Sequence, residues 1–231
     1  MSKQNNLIGI VRKYPILRLI KPPDPSLNYN KRYIKKLVAN TAKDGAIIID
    51  VGSGGRKFTS ESISLDLNSY PGVDVVADAG KLPFKDDLAD LVILSAVLEH
   101  VPNPYWVVSE VLRTLKRGGS VYVEIPFLQA YHADPADFQR YTINGLKNIF
   151  SDFRILEAGV CVGPFSAVAF FLRKFPTIFF KNAYIAKSIE VIVGWLTFWI
   201  KYFDWLLIKV KRLHVVASGV YLLATKGKLE S

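Results

Sequence analysis

One cysteine, Cys161, and three histidines, His100, His132 and His214, are all the thiol and imidazole that 231 residues contain. A single cysteine excludes an internal disulfide and any multi-cysteine metal site, and its apolar setting reads as a buried thiol rather than a nucleophile. The histidines lack the close spacing of a metal pair. Also missing is any window of about 18 uncharged apolar residues. The longest hydrophobic territory, residues 155–208, is interrupted by Arg173, Lys174, Lys181, Lys187, Glu190, Lys201 and Asp204, which argues against a clean membrane span. The first apolar stretch, 7–11, meets Arg12 and Lys13 before it reaches the length of a secretory signal core. The expectation is a reducing, cytoplasmic setting.

What the chain does have is apolar mass and positive charge. Half of its residues are hydrophobic, enough to bury one α/β domain with an appendage. The net charge of +10 is unevenly spread, with +8 on residues 1–45, −5 on 46–159 and +7 on 160–231. The middle of the chain is therefore acidic, and the basic excess belongs to the two flanks. Such flanks suit nucleic acid or an anionic membrane surface.

Seven short apolar runs, starting near residues 46, 62, 73, 90, 120, 153 and 216, are each followed by a turn or a helical stretch. Continuous apolar runs, rather than strict alternation, predict strands of a mostly parallel sheet covered on both faces. The expected fold is a Rossmann-like α/β domain with seven strands and helices on both faces. Apolar residues at helical spacing predict one helix after the proline-rich 21–28 segment, ended by Gly45, and another over 103–117, stopped by Gly118 and Gly119. Residues 164–212, between the last two strands, read as an apolar helical insertion. The chain thus divides into a basic arm and leading helix (1–45), a Rossmann-like domain (46–163 and 213–228) and the insertion.

Chemistry enters with the glycine turn Asp50-Val51-Gly52-Ser53-Gly54-Gly55 after the first strand. A dinucleotide fingerprint needs glycine at its sixth position, where Lys57 stands, and a P-loop needs a Gly-Lys-Ser/Thr that is absent here. Instead, Asp66 ends the second strand, and Asp78-Ala79 ends the third. This set resembles the cofactor pocket of class I S-adenosylmethionine-dependent methyltransferases. The resemblance continues through the fourth strand, the Leu98-Glu99-His100 segment and the Lys116-Arg117-Gly118-Gly119 turn.

The resemblance implies S-adenosyl-L-methionine as cofactor, whose ammonium, sulfonium, ribose diol and adenine amine suit strand-end carboxylates. Gly52 and Gly54 would allow close backbone approach, Asp50 would order the turn, Asp66 would accept the ribose hydroxyls, and Asp78 with Ala79 would meet the adenine. Ser53, Leu67 and Ser95 complete the expected cofactor-contacting set. His100 either lines the transfer site or packs beside it. Related enzymes that bind a metal use an acid where Ala96 stands, so no metal is expected. The short spacing from Gly52 to Asp66 leaves little room for a helix between strands one and two, which predicts a loop over 55–60.

The segment after strand five, Tyr131-His132-Ala133-Asp134-Pro135-Ala136-Asp137-Phe138-Gln139-Arg140-Tyr141-Thr142, is polar and aromatic where a loop would face the ligand crevice. It resembles a subset of methyltransferases found near bacterial polysaccharide and glycolipid gene clusters. A methyl transfer to a hydroxyl needs alignment and a base near neutral pKa. His132 is the first candidate, Asp134 its orienter and His100 the alternative. Tyr131, Asp137, Arg140 and Tyr141 are the candidate substrate contacts, with a salt bridge from Arg140 to Asp134 or Asp137 as the competing structural role.

The function expected is therefore methylation, most directly O-methylation, of a small or lipid-linked, glycan-like acceptor. A nucleic-acid methyltransferase and a membrane-docked, non-catalytic binding module are the alternatives. The basic flanks and the tryptophans of the insertion point to helices lying on an anionic membrane, at the inner face of the cytoplasmic membrane. A homodimer interface competes for the same surface.

Overall fold

The computed structural model describes residues 21–43, 45–133 and 136–227. Its centre is one seven-stranded sheet, β1 (Ile48–Val51), β2 (Ile63–Asp66), β3 (Val75–Val76), β4 (Ala89–Ser95), β5 (Leu115–Pro126), β6 (Arg154–Val162) and β7 (Gly219–Thr225). The order is β3-β2-β1-β4-β5-β7-β6, with β7 antiparallel to both neighbours and the remaining pairs parallel. All seven predicted strands are present, and the sheet is Rossmann-like and mostly parallel.

Residues of β4 alternate between two cores, as the strand's period of two requires. Leu91 and Ile93 meet Ile34 and Val38 of helix α1 (Lys31–Thr41) on one face. Val92 and Leu94 share the other face with Val107 and Val111 of α2 (Pro104–Thr114) and Leu146 of α3 (Ile143–Ile149). Helices thus cover both faces, and β4, fully enclosed, reads as a continuous apolar run. Asn103 caps α2 by accepting from the Tyr105 N–H, and Thr142 caps α3 by accepting from the Gly145 N–H. The residues between β1 and β2 form turns without a helix, matching the short spacing.

Two features depart from the sequence reading. Helix α2 ends at Thr114 rather than at the glycine pair. Gly118, at φ +80°, and Gly119, where a Cβ would lie 2.9 Å from the Ala89 carbonyl, belong to an irregular start of β5. In the insertion, α4 (Pro164–Lys174), a 3-10 turn (Phe175–Phe179) and α5 (Ala183–Thr197) are followed by a second 3-10 turn (Phe198–Phe203) and α6 (Asp204–Leu207). The run Ala183–Leu207 is long and apolar enough to cross a membrane by length and composition. Two of the charges that interrupt it, Lys201 and Asp204, are buried.

Candidate active site

The carboxyl ends of β1 to β5 meet at one edge of the sheet. Between β1 and β4 the strand order reverses, which opens the crevice where ligands of such sheets bind. Gly52, at φ +67°, starts the turn after β1, and a Cβ there would lie 2.5 Å from Val97 Cγ2. The glycine turn and the segment leading into His100 are therefore in contact. Gly54, at φ +60°, has no atom within 4 Å of where a Cβ would stand, so its backbone faces open space.

Asp50 is fully buried and holds both oxygens against Arg56, at 2.8 and 2.6 Å. Burial pushes its carboxyl up, against the opposing pull of the guanidinium. The sequence reading missed Arg56, which neutralises Asp50 and lies 4.9 Å over the Phe58 ring. Asp50 therefore orders the turn through this cation rather than offering an uncompensated charge. A lone arginine in a glycine-rich turn carries no spacing signal that would have shown this.

Asp66, at the tip of β2, accepts from the Gly54 N–H at 2.8 Å and the Asn68 N–H at 3.0 Å. Ser53 and Ser64 share a buried hydroxyl contact at 2.5 Å beneath it. Asp78 turns one oxygen onto the Gly80 N–H at 2.7 Å. Leu67 and Val76, at the ends of β2 and β3, are exposed at 58% and 57% and form an apolar shelf between the two acids. Ser95 closes β4 and donates to Glu124 at 3.2 Å. The next residue, Ala96, holds the left-handed region at φ +59°, a costly position for alanine at the crevice rim.

These residues fit S-adenosyl-L-methionine. The Asp66 carboxylate has lone pairs left for a diol after its two backbone bonds. The exposed shelf offers an apolar seat for adenine beside Asp78, and the bare Gly54 backbone admits close approach.

The loop after β5 is stitched onto the Leu98–His100 turn. Gln139 donates to the Leu98 and Val101 carbonyls at 2.8 and 2.9 Å, and the Phe138 N–H donates to the Glu99 carbonyl at 2.8 Å. His100 Nδ1 meets the Ala136 carbonyl, so that nitrogen carries a proton. These contacts bring the His100 and His132 rings edge to face, with centroids 5.0 Å apart.

Asp137 is held by a two-pronged pair from Arg140 and accepts from the His132 N–H at 2.8 Å. The guanidinium holds its carboxyl down near about 2. Of the two salt bridges expected for Arg140, the one to Asp137 is present. Asp134 lies outside the described residues. Tyr131 is exposed at 71%, whereas Tyr141 packs against the core and donates to Gln139. Asp137 and Arg140 are thus engaged with each other, and Tyr141 with the core and Gln139, while Tyr131 is left exposed.

Glu99 is a residue the sequence reading passed over. It is fully buried beside His100, 3.7 Å from Nε2, and its carboxyl oxygens have no hydrogen-bond partner among the described residues. Burial pushes its carboxyl from the ordinary 4.5 up to about 7. The folded protein therefore keeps a proton that the unfolded chain has already released, and stability falls as pH rises between these values. The loss amounts to roughly 3 kcal/mol. Glu99→Gln should flatten that slope, with urea midpoints that hardly change between about pH 5 and about pH 8 while the parent's decline. Parallel curves for the two proteins would show that Glu99 holds no such proton.

Residues 49–123 match the family described as Methyltransferase domain. An uncharacterized methyltransferase of Mycobacterium leprae is 35% identical over 97 residues, covering 33% of this chain and 36% of that protein. The chain thus spans about a third of the length of the curated relatives it matches first. Among solved structures, phosphoethanolamine N-methyltransferase 2 of Haemonchus contortus, in complex with S-adenosyl-L-methionine, superposes with a TM-score of 0.53 at 14% identity over 87% of this chain and 53% of that one. The cyclase SpnF superposes with a TM-score of 0.52 at 18% identity over 84% of this chain and 80% of the other.

The fold is Rossmann-like, residues 49–123 carry the methyltransferase-domain match, and S-adenosyl-L-methionine is the implied cofactor. The matched stretch carries the glycine turn, Asp66, Asp78 and the Leu98–His100 segment. The cyclase shares the fold, so the assignment rests on the domain match and the pocket chemistry rather than on the fold alone.

Proposed function

We propose that this chain methylates a hydroxyl of a small or lipid-linked, glycan-like acceptor with S-adenosyl-L-methionine as donor. One observation carries the reading: the His100–His132 pair is held against the turn that starts at Val97, which touches the glycine turn. On this reading a base and the cofactor cradle share one crevice. When bound, the cofactor supplies a methyl group on a sulfonium, open to in-line displacement.

The chain's own part is alignment and proton removal. His132 takes the acceptor's hydroxyl proton as the new carbon–oxygen bond forms. Its backbone is fixed by Asp137, which Arg140 fixes in turn. His100, whose Nδ1–H donates to the Ala136 carbonyl and whose Nε2 lies 3.7 Å from Glu99, is the alternative base. Tyr131 stands exposed beside them to stack on a sugar or aromatic ring.

Calorimetric titration with the cofactor, followed by a radiolabelled methyl screen of membrane-lipid and soluble extract fractions, tests the reading. Label in a lipid or small-molecule fraction is the expected result. Label in RNA would favour the nucleic-acid alternative, and cofactor binding without any label would favour a non-catalytic module.

A further inference from the structure

The insertion exposes an apolar face of a size that the crevice does not explain. Ile178, Phe179, Ile192, Leu196, Trp199 and Leu206 are all at least half exposed on it. Contiguous apolar exposure on this scale marks an interaction surface.

Its charges identify the partner. Residues 164–212 contain eight Lys and Arg and two acids, Glu190 and Asp204. Both acids are buried. Glu190 is surrounded by Arg173, Lys174 and Lys187 at 3.1–3.4 Å, and Asp204 accepts from Phe165 N–H, Ser166 N–H and the Ser166 hydroxyl. The exposed charges of this segment are therefore all cationic: Lys181, Lys209, Lys211 and Arg212, with Lys187 exposed beside its pairing to Glu190. Tryptophan and aliphatic side chains ringed by lysine are the chemistry of a helix lying in an anionic lipid interface.

The geometry points to lying rather than spanning, although Ala183–Leu207 has the length to cross. A spanning helix would have to leave the domain. This one is fastened to it from within. Lys201 donates to the Asp24 carbonyl at 2.5 Å, Asp204 caps α4, and Gly194 leaves room for Pro22, whose ring would lie 2.6 Å from a Cβ there. The proline-rich 21–28 segment is thus a strap between the insertion and the sheet, and one side of the helical run stays committed to it.

A cleft of about 490 Å³ joins this face to the acceptor side. Its walls are Phe127 to Ala130, the residues that lead from β5 to His132, and Ala167, Val168, Phe171 and Leu172 of α4. We propose that the insertion docks in the plane of an anionic bilayer, and that this cleft receives the apolar chain of a lipid-linked acceptor whose polar head reaches the two histidines. The docking half stands on the surface alone. The acceptor half rests on the methyl-transfer reading above.

Flotation of the full chain with vesicles of equal parts phosphatidylglycerol and phosphatidylcholine, against pure phosphatidylcholine, tests the docking half. Co-flotation with the anionic vesicles, reduced by added salt, is the expected result. The double variant Leu196→Glu, Trp199→Glu should lose about tenfold or more in vesicle partitioning while binding cofactor as the parent does. Absence of flotation with both compositions overturns the proposal. So does a dimer in analytical ultracentrifugation that the double variant splits and that ignores vesicles, because the face would then belong to a second copy. For the cleft, Val168→Trp should suppress labelling of a membrane-lipid extract without weakening flotation, and unchanged labelling overturns the acceptor half. Flotation without any methyl transfer to lipid, in a chain that labels a water-soluble acceptor, likewise overturns the acceptor half alone. Flotation with no transfer to anything counts against the enzyme reading and leaves the docking supported.

Discussion

Replacing His132 with alanine should lower turnover by about 100- to 10,000-fold while cofactor affinity barely changes. Asp137 accepts from the His132 backbone N–H, so removal of the imidazole leaves that anchor of the loop in place. The loss should shrink as pH rises, because a more alkaline medium ionises more of the acceptor hydroxyl and replaces the missing base. A histidine that only packs the loop would instead weaken acceptor binding at every pH. His100→Ala in parallel separates the pair, whose rings lie 5.0 Å apart. Full turnover in His132→Ala with the true acceptor would remove it from the role of base. The loop would then shape the acceptor without taking its proton.

Asp66→Ala should weaken cofactor binding by roughly 2 to 4 kcal/mol, since one carboxylate would leave two ribose hydroxyls without an acceptor. The structure adds a second expected effect. Asp66 also receives the Gly54 and Asn68 N–H groups, so the variant should lose stability by roughly 1 to 3 kcal/mol. Asp74→Ala is the control that separates the two. Asp74 accepts from the Ser64 N–H at 2.8 Å and from Lys57 at 2.5 Å at the opposite end of β2. It should melt earlier than the parent yet bind cofactor equally well. Calorimetry showing the same affinity for Asp66→Ala and the parent would dismiss the pocket assignment. Asp78→Ala should be milder than Asp66→Ala, because an amine contact alone is lost.

Much of this architecture could be read from local pattern. The strands of a sheet covered on both faces are built around apolar runs such as residues 46–49 and 91–94, which stop at a turn former or an acid, so their number and placement were legible. The candidate cofactor residues were legible for the same reason, since they sit within a residue or two of strand ends. Contacts between distant segments were not. Nothing in the spacing of Asp50 and Arg56 announces an ion pair folded back across the glycine turn, and nothing marks Glu99 as buried beside His100, whose ring meets that of His132, 32 positions on in sequence. The burial of the insertion's charges was hidden for a related reason. Composition counts Lys201 and Asp204 as interruptions of an apolar helix, whereas the fold buries both, Lys201 on the Asp24 carbonyl of the strap and Asp204 on the first turn of α4.

The ends of that insertion meet at a closed door. The Ser218 N–H donates to the Val162 carbonyl at 2.9 Å, and Val162 pairs with Gly219, so the sheet is already zipped on the side from which the segment departs and returns. Its length and content are therefore uncoupled from the register of β6 and β7. Long excursions at such a junction add little closure entropy. For protein engineering this makes 164–212 an exchangeable cassette. A different excursion grafted in its place would redirect the domain to another surface or acceptor while leaving the pairing of β6 with β7 to the sheet itself, provided that the strap at Pro22–Asp24 is given a new cover.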